Sequence, residues 1–402
     1  MYLTALDIGS SQIKAIVAEL DNENRLTLVD AFKAPSKGMR KGEIVDFSDV
    51  LKSIGALFLD IRKIHKNALK NIFVNVGGKN IRLQGSRGIV AVSRADNEIY
   101  QEDIDRVIKA SQAINLSDNR TILHTIVQEF IVNGMEQIQN PIGMIGNRLE
   151  VNSLIVDAFA PVVSDVKNCV ESAGGKVNET IFNPLASSRC VLNKIHRELG
   201  VAMVDIGFGT TGLAVFEEDK LIQAKILPVG SGNVTNDLAI TLKSSIEVAE
   251  KIKILYGYAD ASEVSAKDKV DLSELDPSLK SEISRKYISE IIESRLSEIF
   301  EMINAELKLI GKTKLPAGII LCGGGSKIPG IIDLARQELK LPVHFGVLDQ
   351  SNFNAASADL ISKAEDLEFS NAAGLLLWGY DQVAKEEIKK GKIFKILKYF
   401  LP

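Results

Sequence analysis

Cysteine is scarce in this chain of 402 residues: Cys169, Cys190 and Cys322 are the only three, and no two of them form a CxxC pair. An odd count at such spacing argues against a disulfide framework and points to a reducing compartment. His65, His124, His196 and His344 are scattered, without HExxH or another ligand spacing, so each reads as a surface or satisfied core residue. No apolar run reaches the eighteen or so residues that a membrane-spanning helix needs. The opening MYLTALDIGSS has no basic stretch followed by an apolar one and is expected to carry no secretory signal. Two phosphate signatures are missing as well. There is no GxxxxGKS or GxxxxGKT loop and no GxGxxG after a strand, which sets aside P-loop and dinucleotide-fold readings.

What remains is the composition of an ordinary globular protein, 46% hydrophobic and 25% charged, and no disorder class fits it. The length exceeds that at which one hydrophobic core usually keeps growing, so two domains are expected. Lys plus Arg number 48 against 52 for Asp plus Glu, a net charge of −4. That balance gives no general reason to bind nucleic acid, and any attraction to a membrane must be local.

Two stretches resemble each other 198 positions apart: LTALDIGSSQIKAIVAELD, around Asp7, and VAMVDIGFGTTGLAVFEED, around Asp205. Each reads as a buried apolar strand, a Gly/Ser/Thr turn and a second β-rich strand. The spacing is too long for a solenoid, so the duplication predicts two domains of one architecture with a binding cleft between their opening hairpins. In DIGSSQIK, Gly9 lets backbone approach a ligand, Ser10 and Ser11 offer donors, and Lys14 can return along the second strand toward a phosphate. Asp7 would repel that phosphate unless a hydrated Mg²⁺ stood between them, an ion that takes one or two carboxylates and keeps waters. DIGFGTT repeats the pattern with Asp205, Gly207, Gly209, Thr210 and Thr211. Two aspartate-led turns would clamp a polyphosphate and its metal from both sides. A third loop, LCGGGSKIPG, follows an apolar strand. There Gly323, Gly324 and Gly325 would let a flat ligand lie on bare backbone before a helix expected to begin near Pro329.

Between Ile81 and Phe159, the runs GIVAVS, TILHTIVQEFIV and LEVNSLIVDAF and a helix from about Gln101 to Ala113 predict a small inserted α+β unit. VVSDVKNCVESAGGKV and PLASSRCVLNKIHRELG then read as helices, the second closing at Gly200. The span from about Leu238 to Lys308 is expected to be mostly helical, with KSEISRKYISEIIESRLSEIFEMINAEL as one long amphipathic element.

The last twelve residues, GKIFKILKYFLP, hold three lysines, six large apolar side chains, one tyrosine and no acid. On a helix, Ile393, Phe394, Ile396, Leu397, Phe400 and Leu401 fall within an arc of about 160°. Lys392, Lys395 and Lys398 occupy the other side. An apolar face opposite a purely cationic one is the pattern of a helix lying in the headgroup plane. A core helix usually carries mixed charge on its wet face. Lys389 and Lys390 bring the local lysine count to five, each contributing about 1 kcal/mol near an anionic leaflet. Gly391 is the expected hinge.

The order DIGSS, DIGFGTT, LCGGGS resembles the actin-like ATPase superfamily. The details resemble the FtsA family of bacterial cell-division proteins from end to end: HTIVQEFIVNG with QNPIGMIGNRLEV, FNPLASSRCVL, VGSGNVTNDLA with AEKIK, LCGGGSKIPG and the tail KIFKILKYF. The resemblance implies an α/β, actin-like (ribonuclease H-like) fold of two domains around a nucleotide cleft. It divides the chain into a first core (1–80 and 160–200) with an inserted small α+β subdomain (81–159), and a second core (201–237 and 309–380) with a mostly helical insertion (238–308). A linker (381–391) and an amphipathic membrane helix (392–402) follow.

Carried over residue by residue, ATP and Mg²⁺ would meet Asp7, Gly9, Ser10, Ser11 and Lys14 at one phosphate loop and Asp205, Gly207, Gly209, Thr210 and Thr211 at the other. Gly232 and Asn233 lie in VGSGNVTNDLA, Glu250 and Lys253 would flank the nucleoside, and Gly323 to Ser326 would form the adenosine loop. Asp7 and Asp205 would hold the Mg²⁺ through water. Lys286 and Arg295 match basic positions of the region that holds the acidic C-terminal peptide of the tubulin-like FtsZ. The implied partners are thus FtsZ, further copies of the chain in an actin-like filament, an anionic membrane surface and other division proteins, at the cytoplasmic face of the division site. Asn183 stands where many relatives have an acid, and Val127 and Asn133 replace a proline and an aspartate, so ATP binding is implied and hydrolysis is not. The competing expectations are a sugar kinase, for which no catalytic aspartate on a sugar loop is identified, and a pilus-assembly platform, which would not need the tail.

Overall fold

The computed structural model describes residues 1–21, 23, 25–277, 279, 282–348 and 353–383. It opens with a meander of β1 (Tyr2–Ile8), β2 (Gln12–Leu20) and β3 (Leu26–Pro35). β1 is buried at nearly every position because the sheet is covered on both faces. A ribbon of β4 (Met39–Arg40) and β5 (Glu43–Ile44) leads to α1 (Phe47–Ile64), capped by Asp46 through the N–H of Asp49. Val50, Ile54, Leu57, Phe58 and Ile61 form its buried stripe, and the helix returns the chain to β6 (Ile72–Val76), parallel to β1.

The insertion follows as β7 (Arg82–Ala91), α2 (Gln101–Ser111), β8 (Arg120–Val132), β9 (Met135–Ile138) and β10 (Arg148–Phe159). Its sheet has the order β7-β10-β8-β9 and a core of its own around Ile99, Val107, Phe130 and Leu149. Asn133 and Gly134 both have positive φ, 49° and 86°, as a two-residue hairpin between β8 and β9 requires. The insertion does not hang free. The His124 Nε2 accepts from the Phe182 N–H at 3.1 Å, and Lys220 donates to Glu129 at 3.0 Å, so it is tied to both halves.

Next come α3 (Ala160–Ser172), β11 (Val177–Phe182), α4 (Asn183–Val191) and α5 (Lys194–Leu199). The single helix expected through PLASSRCVLNKIHRELG is therefore two. Leu192 is extended, and the Asn193 side chain starts α5 by accepting from the N–H of His196. The second half repeats the first with β12 (Val201–Ile206), β13 (Thr211–Glu217) and β14 (Lys220–Leu227), then α6 (Ser231–Leu242) and α7 (Ile246–Tyr256). β15 (Lys269–Val270) pairs with β16 (Ile283–Ser284), so the long α8 (Arg285–Leu309) starts later than the sequence pattern suggested. β17 (Ile319–Cys322), α9 (Ile331–Leu339) and β18 (Val343–Phe345) close the second sheet. α9 begins two residues after Pro329 because Gly324–Lys327 form a 3-10 turn and Gly330 a left-handed cap.

The two sheets share one plan: β3-β2-β1-β6-β11 in the first corresponds to β14-β13-β12-β17-β18 in the second. The expected core segment 309–380 does not stay with one sheet. β19 (Asn354–Ala355) pairs with β3, α10 (Ala358–Glu365) packs on β3, and a helix over 370–383 runs back between the sheets. A Cβ on Gly374 would stand 1.8 Å from the Ala186 carbonyl oxygen, which shows how closely that helix lies on α4. Its continuation to 383 also moves the start of the expected linker, since Asp381 is paired with Arg189 at 2.7 Å. Strand edges and return helices of this kind are set by long-range packing, which no local pattern encodes. Helix α4 and the helix over 370–383 lie in an apolar layer fed by both sheets, with Leu3 and Ile16 from one side and Met203 and Ile320 from the other.

Candidate functional site

The opening turns of the two sheets meet at one cavity of about 410 Å³. In the first, the Gly9 N–H donates to the Gln12 carbonyl at 3.0 Å; in the second, the Gly207 N–H donates to Thr210 at 2.9 Å. The same bond recurs 198 positions on, so the duplication extends to the conformation of the turn. The tips touch. A Cβ on Gly209 would lie 2.5 Å from Ser10 Oγ and 3.2 Å from the Lys41 nitrogen, so only glycine lets the two turns close on each other.

Asp7 and Asp205 both line this cavity. Asn75 Nδ2 donates to Asp7 Oδ1 at 2.8 Å, and Lys14, opposite Asp7 on β2, brings its Nζ to 3.6 Å from Oδ2. Ser187 Oγ donates to Asp205 Oδ2 at 2.6 Å. Burial pushes the Asp7 carboxyl above its ordinary pKa against the pull of Lys14. Burial also raises Asp205; the bond from Ser187 opposes the shift, the charge of Asp7 adds to it, and Lys14 opposes it. Two carboxylates held on the wall of one cavity are an incomplete arrangement that a cation would complete.

The third loop arrives from β17. Gly323 has φ 84°, and a Cβ there would meet Asp205 Oδ1 at 2.2 Å, so the loop can pass the aspartate only as bare backbone. Gly324 and Gly325 line the cavity beside it, with Ile254 and Ile328 as its apolar rim. Lys253, 5% exposed, is no surface ion-pair partner. Its Nζ donates to Glu250 at 2.7 Å, Thr235 Oγ1 at 3.0 Å and the Ser231 carbonyl at 3.3 Å, and it lies 5.5 Å over the Phe208 ring. Burial lowers its pKa against Glu250. The network fastens α7 to α6 and to the second turn. Helices α4 and α6 both open on the cavity, at Asn183 and Ser231, and so turn their positive ends toward it.

Four of the expected site residues are not on the cavity wall. Thr211 is buried and donates to the Val229 carbonyl at 2.9 Å; Ser326 is buried and donates to the Cys322 carbonyl at 2.6 Å. Asn233 accepts from the Gly230 N–H and so caps α6, and the Gly232 N–H donates to Phe208. These four shape the loops: Ser326 and Asn233 meet nearby backbone first, as short polar side chains in turns do, Thr211 joins β13 to the backbone before α6, and Gly232 acts through its own N–H. Asn75, Ser187 and Thr235 had no distinguishing spacing in the sequence, and only the fold brings them to the site; Phe208 lies inside the DIGFGTT turn, but its ring offers no phosphate donor, so nothing in the sequence marks it for the site. Lys33, which bonds Glu368 at 2.8 Å, and Lys327 stand at its edge.

The donor set suits a phosphorylated ligand with a hydrated cation. Gln12 Oε1, Asn183 Oδ1 and Asn371 Oδ1 are buried side-chain acceptors of the cavity wall without a hydrogen-bond partner among the described residues. Ligand hydroxyl or amino groups, or cation-bound waters, would supply the missing donors. Among the described residues no group of three or more His, Cys, Asp or Glu could hold a metal ion. On the second insertion, Arg295 is bound through Nε and Nη2 to Asp237, at 2.6 and 3.1 Å, and through Nη1 to Glu298. Lys286 is half-buried on the first turn of α8. The expected membrane residues Lys392, Ile393, Phe394, Lys395, Ile396, Leu397, Lys398, Phe400 and Leu401 lie outside the described residues.

A duplicated five-stranded core closing on one cleft is the actin-like fold, and solved structures agree. The chain is similar to the PilM-PilN type IV pilus biogenesis complex (TM-score 0.67, 16% identity, 94% of this chain and 98% of that one). It is similar also to MreB5 of Spiroplasma citri bound to AMPPNP (TM-score 0.52, 15% identity, 97% and 98%). The family model for cell division protein FtsA matches residues 202–374, and that for the SHS2 domain inserted in FtsA matches residues 78–157. The cell division protein FtsA of Borreliella burgdorferi is 36% identical over 390 residues, 96% of this chain and 93% of the relative. The chain belongs to the FtsA family of bacterial cell-division proteins, within the actin-like ATPase superfamily.

Proposed function

We propose that this protein binds ATP with Mg²⁺ in the cleft, assembles into actin-like filaments on the cytoplasmic face of the membrane, and tethers the FtsZ ring there. The observation that carries the nucleotide reading is the meeting of two matched turns, each led by an aspartate, around one cavity. In that reading, backbone and hydroxyl donors of Ser10, Ser11 and Thr210 take the phosphate oxygens from both sides. Lys14 adds a point charge from β2, and Asp7 and Asp205 face the waters of the cation. When bound, Mg²⁺ supplies the positive charge that lets two carboxylates and a triphosphate share one small space. The glycines of the third loop and the Glu250–Lys253 network bracket the nucleoside. The likeness of the fold to MreB5 bound to AMPPNP supports the same choice of ligand.

Membership of the cell-division family supports the remainder, with the cationic amphipathic tail as the membrane element and other division proteins as further partners. An acidic FtsZ peptide at Arg295 would have to displace Asp237 or Glu298, both already bound to that guanidinium. With Asn183 in place of an acid, the reading extends to binding and not to rapid hydrolysis.

Saturating Mg-ATP should raise the melting temperature of the full chain, and Asp205→Ala should abolish the rise. An unchanged melting curve of the wild-type protein at saturating Mg-ATP overturns the assignment of the cleft.

A further inference from the structure

Each cleft aspartate has one oxygen held by a buried neutral donor from an element that belongs to neither turn. Asn75 is on β6, 4% exposed, with its Nδ2 2.8 Å from Asp7 Oδ1. Its own Oδ1 accepts from the Ile8 N–H at 2.7 Å, so the amide cannot turn over without losing a buried bond. It can only donate to the aspartate. Ser187 is on α4, fully buried, with its Oγ 2.6 Å from Asp205 Oδ2. The result is alike on both sides although the donors come from a strand and a helix: one oxygen is tied by a neutral donor and the other is not, the second Asp7 oxygen having only the Lys14 Nζ at 3.6 Å as a charged neighbour on the cavity wall. On Asp205 the remaining oxygen, Oδ1, lies against the bare backbone of Gly323.

We infer that Asn75 and Ser187 are positioning residues that fix the rotamers of Asp7 and Asp205, so that one chosen oxygen of each faces the cation-bound water. This rests on the reading of the cleft as a Mg-nucleotide site. A freely turning carboxylate must be ordered when the cation binds, whereas a tethered one is ordered in advance. Partners that orient metal-facing groups in this way typically contribute about 10- to 100-fold in affinity for the metal. The effect should appear in the Mg²⁺ dependence of binding and leave the nucleotide's own contacts intact.

The test is a Mg²⁺ titration of thermal protection at saturating ATP, with the full chain and its Asn75→Ala and Ser187→Ala variants, and with ATP in EDTA as the metal-free arm. Each variant should need about tenfold more Mg²⁺ for half-maximal protection, while any shift given by ATP in EDTA stays that of the wild type. Asn75→Ser and Ser187→Thr, which keep a donor, should recover part of the loss and serve where an alanine variant does not fold. A half-point equal to that of the wild type in the folded variants, or an equal loss in both arms, overturns the inference, since the second is what mere loosening of the core would give. A wild-type chain that shows no Mg²⁺-dependent protection overturns the nucleotide reading and the inference together.

Discussion

At the scale of single residues, the cleft is defined less by what its side chains reach than by what they are prevented from doing. Asp205 sits in a cavity that penalises its charge, and its raised pKa records the cost. For a buried acid whose pKa is raised on folding, the stability contribution is complete below the unfolded pKa and is lost as pH rises through the folded one. At neutral pH the ligand-free protein carries that penalty. Asp205→Asn keeps the shape and an acceptor for Ser187 while removing the charge. Its melting temperature without ligand should therefore lie above that of the wild type, and the Mg-ATP shift should vanish. A ligand-free melting point below the wild-type value counts against the cost. The repeated DIG turns and the glycine loop were legible in the sequence because phosphate-cradling backbone demands small residues at fixed positions. Thr211, Gly232, Asn233 and Ser326 looked equivalent to their neighbours there. Which polar groups of a tight turn face the ligand depends on packing behind the turn, and that is not written locally. Asn75 and Ser187 were illegible for the same reason.

At the scale of elements, the insertion is joined to the core at a point that is sensitive to protons. His124, on β8, accepts the Phe182 N–H and lies 5.1 Å from the Trp378 ring, on the helix that runs back between the sheets. Burial pushes its pKa down to about 4. The groups facing it include Glu179, whose Oε1 is 3.7 Å from Nδ1 and whose Oε2 accepts from Trp378. Between pH 6.5 and 4 the unfolded chain takes up a proton here and the folded one does not, so stability falls as pH is lowered through that window. A depression from 6.5 to about 4 corresponds to about 3 kcal/mol at about 1.4 kcal/mol per unit. In urea unfolding at a series of pH values, His124→Gln, which keeps an acceptor for Phe182, should lose this part of the slope and gain on the wild type as pH approaches 4. Parallel curves for the two proteins would dismiss the assignment. The strands of the insertion and α2 were legible from alternation and helical spacing. The anchoring was not, because a histidine on a strand reads the same whether it meets solvent or the core.

At the scale of the whole molecule, the proposed function asks that a body of weak negative charge be kept at an anionic surface. The net charge is −4, so long-range attraction between body and leaflet is slight, and the proposal places the force in the last twelve residues. The chain has nine peptide steps from Val383, at the end of the described residues, to Lys392, which can span at most about 30 Å. Anything bound to the body is then confined to a thin shell over the membrane, which is what a tether for a cytoplasmic polymer requires. Apolar insertion and charge should separate experimentally, because salt screens one and not the other. The full chain should sediment with vesicles containing anionic lipid, and a chain ending at Lys390 should stay in the supernatant. Raising ionic strength should weaken the binding without abolishing it. Replacing Lys392, Lys395 and Lys398 together by Gln should lower the partition coefficient about 100-fold, from about 1 kcal/mol per lysine, while Phe394→Ser with Phe400→Ser should weaken it at every salt concentration. Equal sedimentation of the full and shortened chains would remove the tail from the membrane and leave the family's cell-division role to be carried by other contacts.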